Sequence, residues 1–161
     1  MSQSLHGTAR GFAAAALLLG SFVISLPPTR AAEVPRRIHV VEHATSDATA
    51  HLGSQPDNRG DILTFANDVF DAADKTKLGS DQGFCIRIVV GKAYECLWTM
   101  SLAEGQITVQ GPFYDAGDSV LAVTGGTGRY ADVRGEMKLH AHDAQGSKYD
   151  FIYTLHPAAA R

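Results

Sequence analysis

Basic residues are too few and too scattered here to form a nucleic-acid surface. Lys and Arg total 14 against 17 Asp and Glu in 161 residues, and no basic stripe alternates with aromatics, so the counterion release that drives backbone binding has no footprint and no nucleic-acid partner is expected. Cysteine is scarce, with only Cys85 and Cys96. The glycine-flanked serine elbow of a hydrolase is missing. Gly125-Gly126-Thr127-Gly128 lacks the Lys-Ser or Lys-Thr and the helix that a phosphate loop needs, and it reads as a reversal requiring positive φ. His140 and His142 sit about 6–7 Å apart on one strand face, and His39 and His43 lie elsewhere, yet none reproduces a ligand spacing of known meaning. No metal and no cofactor are expected.

Long apolar runs are confined to the amino terminus. Phe12 to Leu26 is mostly apolar, follows a polar start ending in Arg10, and is broken by Pro27-Pro28. Fifteen residues are too few to span a hydrocarbon core comfortably, and Thr29-Arg30-Ala31 puts small residues at the recognition positions of a cut before Ala32. Residues 1–31 therefore read as a signal peptide, and the mature chain as secreted or periplasmic. Cleavage removes Arg10 and Arg30 but no acid, leaving 12 basic and 17 acidic residues and a formal charge of −5. Residues 32–161 make one domain with enough chain for one core.

The remaining sequence is strand grammar. Ile38, Val40, Glu42 and Ala44 share a face of a short run, and Glu42 is its odd member, either an edge residue in solvent or a residue with a task. Residues 53–60 form a long loop. Asp61 to Phe70 fits helix or strand, and Leu63, Phe65 and Val69 favour strand by their period of two. Asp71 to Gln82 is polar and reads as a surface loop. Gly83 to Ser101 is a hairpin about Gly91-Lys92, in which a two-residue turn sets Cys85 opposite Trp98 and Arg87 opposite Cys96. The cysteines are then diagonal neighbours about 7 Å apart, at the edge of disulfide geometry, and a slip of the turn would bring them opposite. A disulfide and a pair of buried thiols both remain open. Further alternation follows over Gln106–Gln110, Ser119–Thr124, Arg134–His142 and Lys148–His156. Seven or eight strands with short turns imply a sandwich or, better, an all-β eight-stranded antiparallel β-barrel, whose interior can hold one small ligand.

Residues 60–85 (GDILTFANDVFDAADKTKLGSDQGFC), residues 107–139 (ITVQGPFYDAGDSVLAVTGGTGRYADVRGEMKL) and YDFIYTL near the end resemble long blocks of the allene oxide cyclase family, within the group that also contains the dirigent proteins. The similarity covers nearly all of residues 38–156. It implies an eight-stranded barrel lined by aromatics and often trimeric. It also implies catalytic roles for Glu42, which matches the first-strand glutamate that polarises substrate, and for Cys85, which matches a family cysteine after a Gly-apolar pair. Phe65, Tyr94, Trp98 and Phe113 match barrel aromatics that bind ligand, and parity puts Cys96 inside with them. Two positions depart from the family. Ala44 and His51 replace the asparagine and proline that hold the water binding the epoxide oxygen, which removes the electrophilic anchor for closing an allene oxide.

Two functions follow as expectations. One is a secreted isomerase or cyclase that steers a small hydrophobic or aromatic ligand, with Glu42 stabilising charge or moving a proton. The other is a dirigent-like or lipocalin-like binding protein without chemistry of its own. A barrel packed solid by Trp98 and its neighbours would serve neither. Export makes the first measurement simple: the intact mass of the released protein is expected to match a chain beginning at Ala32, and a full-length chain held in membranes would refute processing.

Overall fold

The computed structural model describes residues 36–156; the expected signal peptide over 1–31 lies outside them. The described chain runs β1 (Arg36–His43), β2 (Ala48–Ala50), β3 (Ile62–Asp71), β4 (Lys77–Val89), β5 (Ala93–Leu102), β6 (Gly105–Tyr114), β7 (Ser119–Gly126), a single 3₁₀ turn at Gly128–Tyr130, β8 (Arg134–Ala141) and β9 (Lys148–His156). Each strand from β3 to β9 pairs antiparallel with the next in sequence, and β1 pairs with both β9 and β3. Eight strands thus close into a barrel, and the short β2 is an extra strand laid on β3. Short connections leave antiparallel neighbours as the only choice, and closure removes the sheet edges that would otherwise template aggregation.

Alternation decides what fills the barrel. Val40, Val69, Trp98, Met100, Ile107, Val109, Leu121, Met137, Phe151, Tyr153 and Leu155 are buried in one core. Their strand neighbours on the outer face, such as Val120, Lys138 and Gln110, are exposed. Of the Gly125–Gly128 segment expected to reverse the chain, Gly125 and Gly126 instead end β7, paired with Thr108 and Ile107, and the reversal comes after them: Gly128 has φ +59°, and a Cβ there would lie 2.5 Å from the Glu104 carbonyl oxygen.

Two further expectations are corrected. Residues 77–82, read as loop, are the first half of β4. Their Gly, Ser, Asp and Gln content hides a strand that is held by β3 on one side and β5 on the other, from Asp81↔Asn67 to Asp81↔Met100. The hairpin register also differs. The reversal takes three residues, Val90 to Lys92, and the pairing slips between Arg87 and Val89, leaving Ile88 as a bulge. Each change moves the register by one. Cys85 therefore faces Cys96, and Gly83 faces Trp98. The first pairing makes a disulfide, with Cα atoms 4.0 Å apart. The second makes room for the indole, because a Cβ on Gly83 would lie 2.3 Å from that of Trp98.

The closing seam has a gap. The edge of β3 that faces β1 is covered by β1 at Asp68–Asp71 and by β2 at Ile62–Thr64. Between them, at Ala66, the Ser46 hydroxyl stands in for a strand: Ala66 N–H donates to Oγ at 2.8 Å, and Oγ donates to the Ala66 carbonyl at 2.9 Å. One side chain thus satisfies both backbone groups that the gap would leave bare.

The Cys85–Cys96 bridge closes a loop of sequence separation 11, for which chain entropy predicts about 3 kcal/mol. Cys85→Ser with Cys96→Ser is expected to lower stability by roughly 2–3 kcal/mol in urea unfolding. Thiol titration of the denatured, unreduced parent should find no free thiol; recovery of two would refute the bridge.

Candidate functional site

A cavity opens from the barrel interior, with about 370 Å³ of empty space including its mouth. Phe65 from β3, Trp98 from β5, Phe113 from β6 and Tyr149 and Phe151 from β9 supply aromatic walls. Leu63, Leu139 and Cys85 complete the apolar lining, and Glu42 and Asp47 add the only carboxyl groups. The rings meet at angles. Phe65 and Trp98 stand edge to face with centroids 5.8 Å apart, Trp98 and Phe151 are tilted at 5.5 Å, and Phe113 and Tyr149 stand edge to face at 5.9 Å. Such packing fixes the walls.

Asn67 organises the acidic side. Its Nδ2 donates to Glu42 Oε1 at 2.8 Å and to Asp47 Oδ1 at 3.0 Å. Its Oδ1 accepts from the backbone N–H groups of Thr45 and Ser46 and shares the single Ser46 hydroxyl proton with the Ala66 carbonyl. A single buried amide therefore ties the inward carboxyl of β1 to the turn that crosses the seam gap. Removing it would leave several buried or half-buried partners unsatisfied at once.

Glu42 is almost wholly buried, and burial raises its pKa to about 7. The Asn67 N–H opposes that shift, while the Asp47 charge adds to it. Deeper, on the segment of β4 read as loop, Asp81 is 1% exposed. Burial first, and then the Glu42 charge, raise its pKa to about 9. As a carboxylate, Asp81 would have two buried oxygens without a hydrogen bond of ordinary geometry, the backbone N–H groups of Asn67 and Asp81 opposing burial only in part. Protonated, it carries an O–H that Glu42 can accept, and the two acids hold a proton between them at neutral pH. The Trp98 indole N–H and the Tyr153 hydroxyl, also buried, have no hydrogen bond of ordinary geometry. Burial and the nearby acids keep that phenol protonated.

Of the residues expected from sequence, Glu42, Cys85, Phe65, Trp98 and Phe113 meet at the cavity. Cys85 presents a disulfide sulfur, so it has no S–H to offer and serves as wall. Cys96 is buried behind it as its partner. Tyr94 is not part of the lining: it stacks on Phe113 at 6.3 Å, and the Arg87 guanidinium lies 3.6 Å over its ring. Arg87 in turn is held by Asp57 and Asp115 at 2.7 and 2.6 Å. His51 turns to Asp61 at 2.7 Å, and neither it nor Ala44 lines the cavity. Among the described residues no group of three or more His, Cys, Asp or Glu is placed to hold a metal ion; His140 and His142 go to separate partners, Asp118 and Asp150.

Several site residues escaped the sequence reading. Leu139, Tyr149 and Phe151 lie in the alternating stretches Arg134–His142 and Lys148–His156, whose faces the pattern alone did not assign to a site. Asn67 shares the inward face of β3 with Leu63, Phe65 and Val69, which is the same polar-on-apolar signal that marked Glu42. Asp81 gave none, because its strand was not recognised.

A family model described as allene oxide cyclase matches residues 37–155. Solved structures share the fold at low identity. A pyocyanin demethylase is 22% identical over 74% of this chain and 99% of its own, with a TM-score of 0.66. A pterocarpan synthase dirigent protein is 15% identical over 81% and 100%, at 0.68. The Diels-Alderase AbmU from Streptomyces koyangensis is 13% identical over 78% and 70%, at 0.62.

The acid pair predicts a pH signature. A carboxyl whose folded-state pKa is raised favours the fold below its unfolded pKa, and that contribution is lost as pH climbs to the folded value. For Asp81 the window runs from about 4 to about 9. Asp81→Asn, which keeps the shape of the neutral acid, is expected to flatten the loss of thermal stability across that window and to gain on the parent at pH 9. An unchanged difference between pH 5 and pH 9 would show that Asp81 titrates normally.

Proposed function

This chain belongs to the allene oxide cyclase family, and we propose that its barrel binds a small hydrophobic, unsaturated or aromatic molecule and steers it through an isomerisation or cyclisation. The observation that carries this reading is the Glu42 carboxyl, which opens into an aromatic cavity with a pKa of about 7. A group poised there can take a proton from a bound substrate or return one without a large cost in either direction. Asp81 behind it, kept neutral, donates to the Glu42 carboxylate and so limits how far its basicity rises.

In a proton-transfer isomerisation, a Glu42 oxygen bonds to hydrogen as a substrate C–H bond breaks. The freed electron pair shifts along the unsaturated chain, and the same proton is delivered at its far end, so nothing is consumed. In a cyclisation the Glu42 charge faces developing positive charge instead. The walls contribute by holding a flexible chain in one folded conformer, which removes the entropic part of the barrier and sets stereochemistry. The solved neighbours named as a Diels-Alderase and a dirigent protein support a barrel used for steering.

Binding without turnover is the second reading, favoured by one specific feature. Ala44 brings no polar atom and His51 is committed to Asp61, so an epoxide oxygen has no anchor at the positions where the family resemblance would put one.

Native mass spectrometry of the released protein identifies co-purified small molecules, and the parent and Glu42→Gln are then compared on the molecule found. Retained binding with turnover lowered at least about 100-fold is expected for a proton-transfer role. Equal turnover by E42Q would remove Glu42 from the chemistry, and absence of turnover in the parent would leave the binding reading.

A further inference from the structure

The charge on the cavity wall restricts what can bind. Five aromatic side chains surround the space, and its two ionisable acids, Glu42 and Asp47, are fixed on one side by the same Asn67 amide. No Lys, Arg or His is among the lining residues. Several cations elsewhere are already engaged. Arg87 is divided between Asp57 and Asp115 with its face on Tyr94, and Lys148 and His43 both go to Asp74, each at 2.5 Å. The wall has one hydroxyl, Tyr149, whose proton burial and the Glu42 charge help to retain. The indole N–H of Trp98 has no accessible surface to donate from.

A carboxylate entering this space would lose its hydration, meet no cation and approach two acids, each term unfavourable. A cation gains from both acids and from an aromatic wall, since ring quadrupoles attract positive charge. Desolvation then selects among cations: a compact ammonium keeps its water tightly, whereas a charge spread over a heteroaromatic ring or shielded by methyl groups gives it up more easily.

We propose that the cavity selects a planar, weakly hydrated organic cation, such as an N-alkylated heteroaromatic ring, over neutral isosteres, and disfavours ligands that must place a carboxylate inside it. This rests on the reading that the cavity is a ligand site, and it narrows that reading to one class of ligand by charge.

Isothermal titration calorimetry on the mature protein at pH 8 and physiological ionic strength tests it with three probes of one shape: N-methylquinolinium, quinoline and 2-naphthoate. The cation is expected to bind roughly tenfold more tightly than quinoline, and 2-naphthoate more weakly than either. Glu42→Gln should reduce the preference of cation over quinoline several-fold. Leu63→Trp, which fills the cavity from a half-exposed wall position, should abolish binding of the cation in a protein whose circular dichroism is that of the parent. Binding of 2-naphthoate as tight as that of N-methylquinolinium overturns the charge preference and leaves the ligand site standing. Binding of the cation that survives Leu63→Trp places it elsewhere and overturns the proposal. If none of the three binds, the ligand-site reading itself falls.

Discussion

One amide holds the architecture and the candidate chemistry together. Asn67 sits where the barrel seam is incomplete, between the stretch of β3 paired with β1 and the stretch paired with β2. Its oxygen gathers the N–H groups of the crossing turn, and its nitrogen holds Glu42 and Asp47. Closing the seam and placing the acids are thus one event. An apolar residue at this position would leave the turn without its anchor, and a carboxylate would bring a third negative charge to a site that already disfavours two. The Ser46 hydroxyl completes the junction by serving the backbone of Ala66.

Most of the fold was legible because alternation is a robust signal when one face is buried. From β5 onward, turn chemistry and period two agree, and the barrel follows from short antiparallel connections. The failures have physical causes. The first half of β4 is rich in Gly, Ser, Asp and Gln, so neither propensity nor hydrophobicity marks it; neighbours on both sides impose its extended backbone. The Cys85–Cys96 register turned on a bulge at Ile88, an exposed residue that leaves no trace in composition. Glu42 was visible as an acid on an apolar face. Asp81, its partner in proton sharing, was not, because an acid in a presumed loop attracts no attention.

The barrel separates two electrostatic regimes. Outside, His39 and His142 share Asp150, His140 meets Asp118, and His43 meets Asp74. The partnered carboxyls Asp150, Asp118 and Asp74 sit below their ordinary pKa despite the opposing pull of burial, because their ring and ammonium donors prevail. Inside, where donors are few and burial dominates, Glu42 and Asp81 move the other way. The same residue types thus stabilise the shell as ions and furnish the interior with groups that change charge near neutrality. That contrast is what allows a barrel with an aliphatic and aromatic core to retain an acid that titrates near neutrality.

Trp98 has a consequence beyond packing. It is the chain's single tryptophan, it lines the cavity, and Gly83 yields the space it occupies. All indole fluorescence from the molecule therefore originates at the wall of the candidate site. Two residues along the same strand face lies the sulfur bridge, an electron acceptor for the excited ring. The protein carries its own optical reporter, placed where an arriving guest would alter the light it emits, and no dye need be attached to watch the cavity fill.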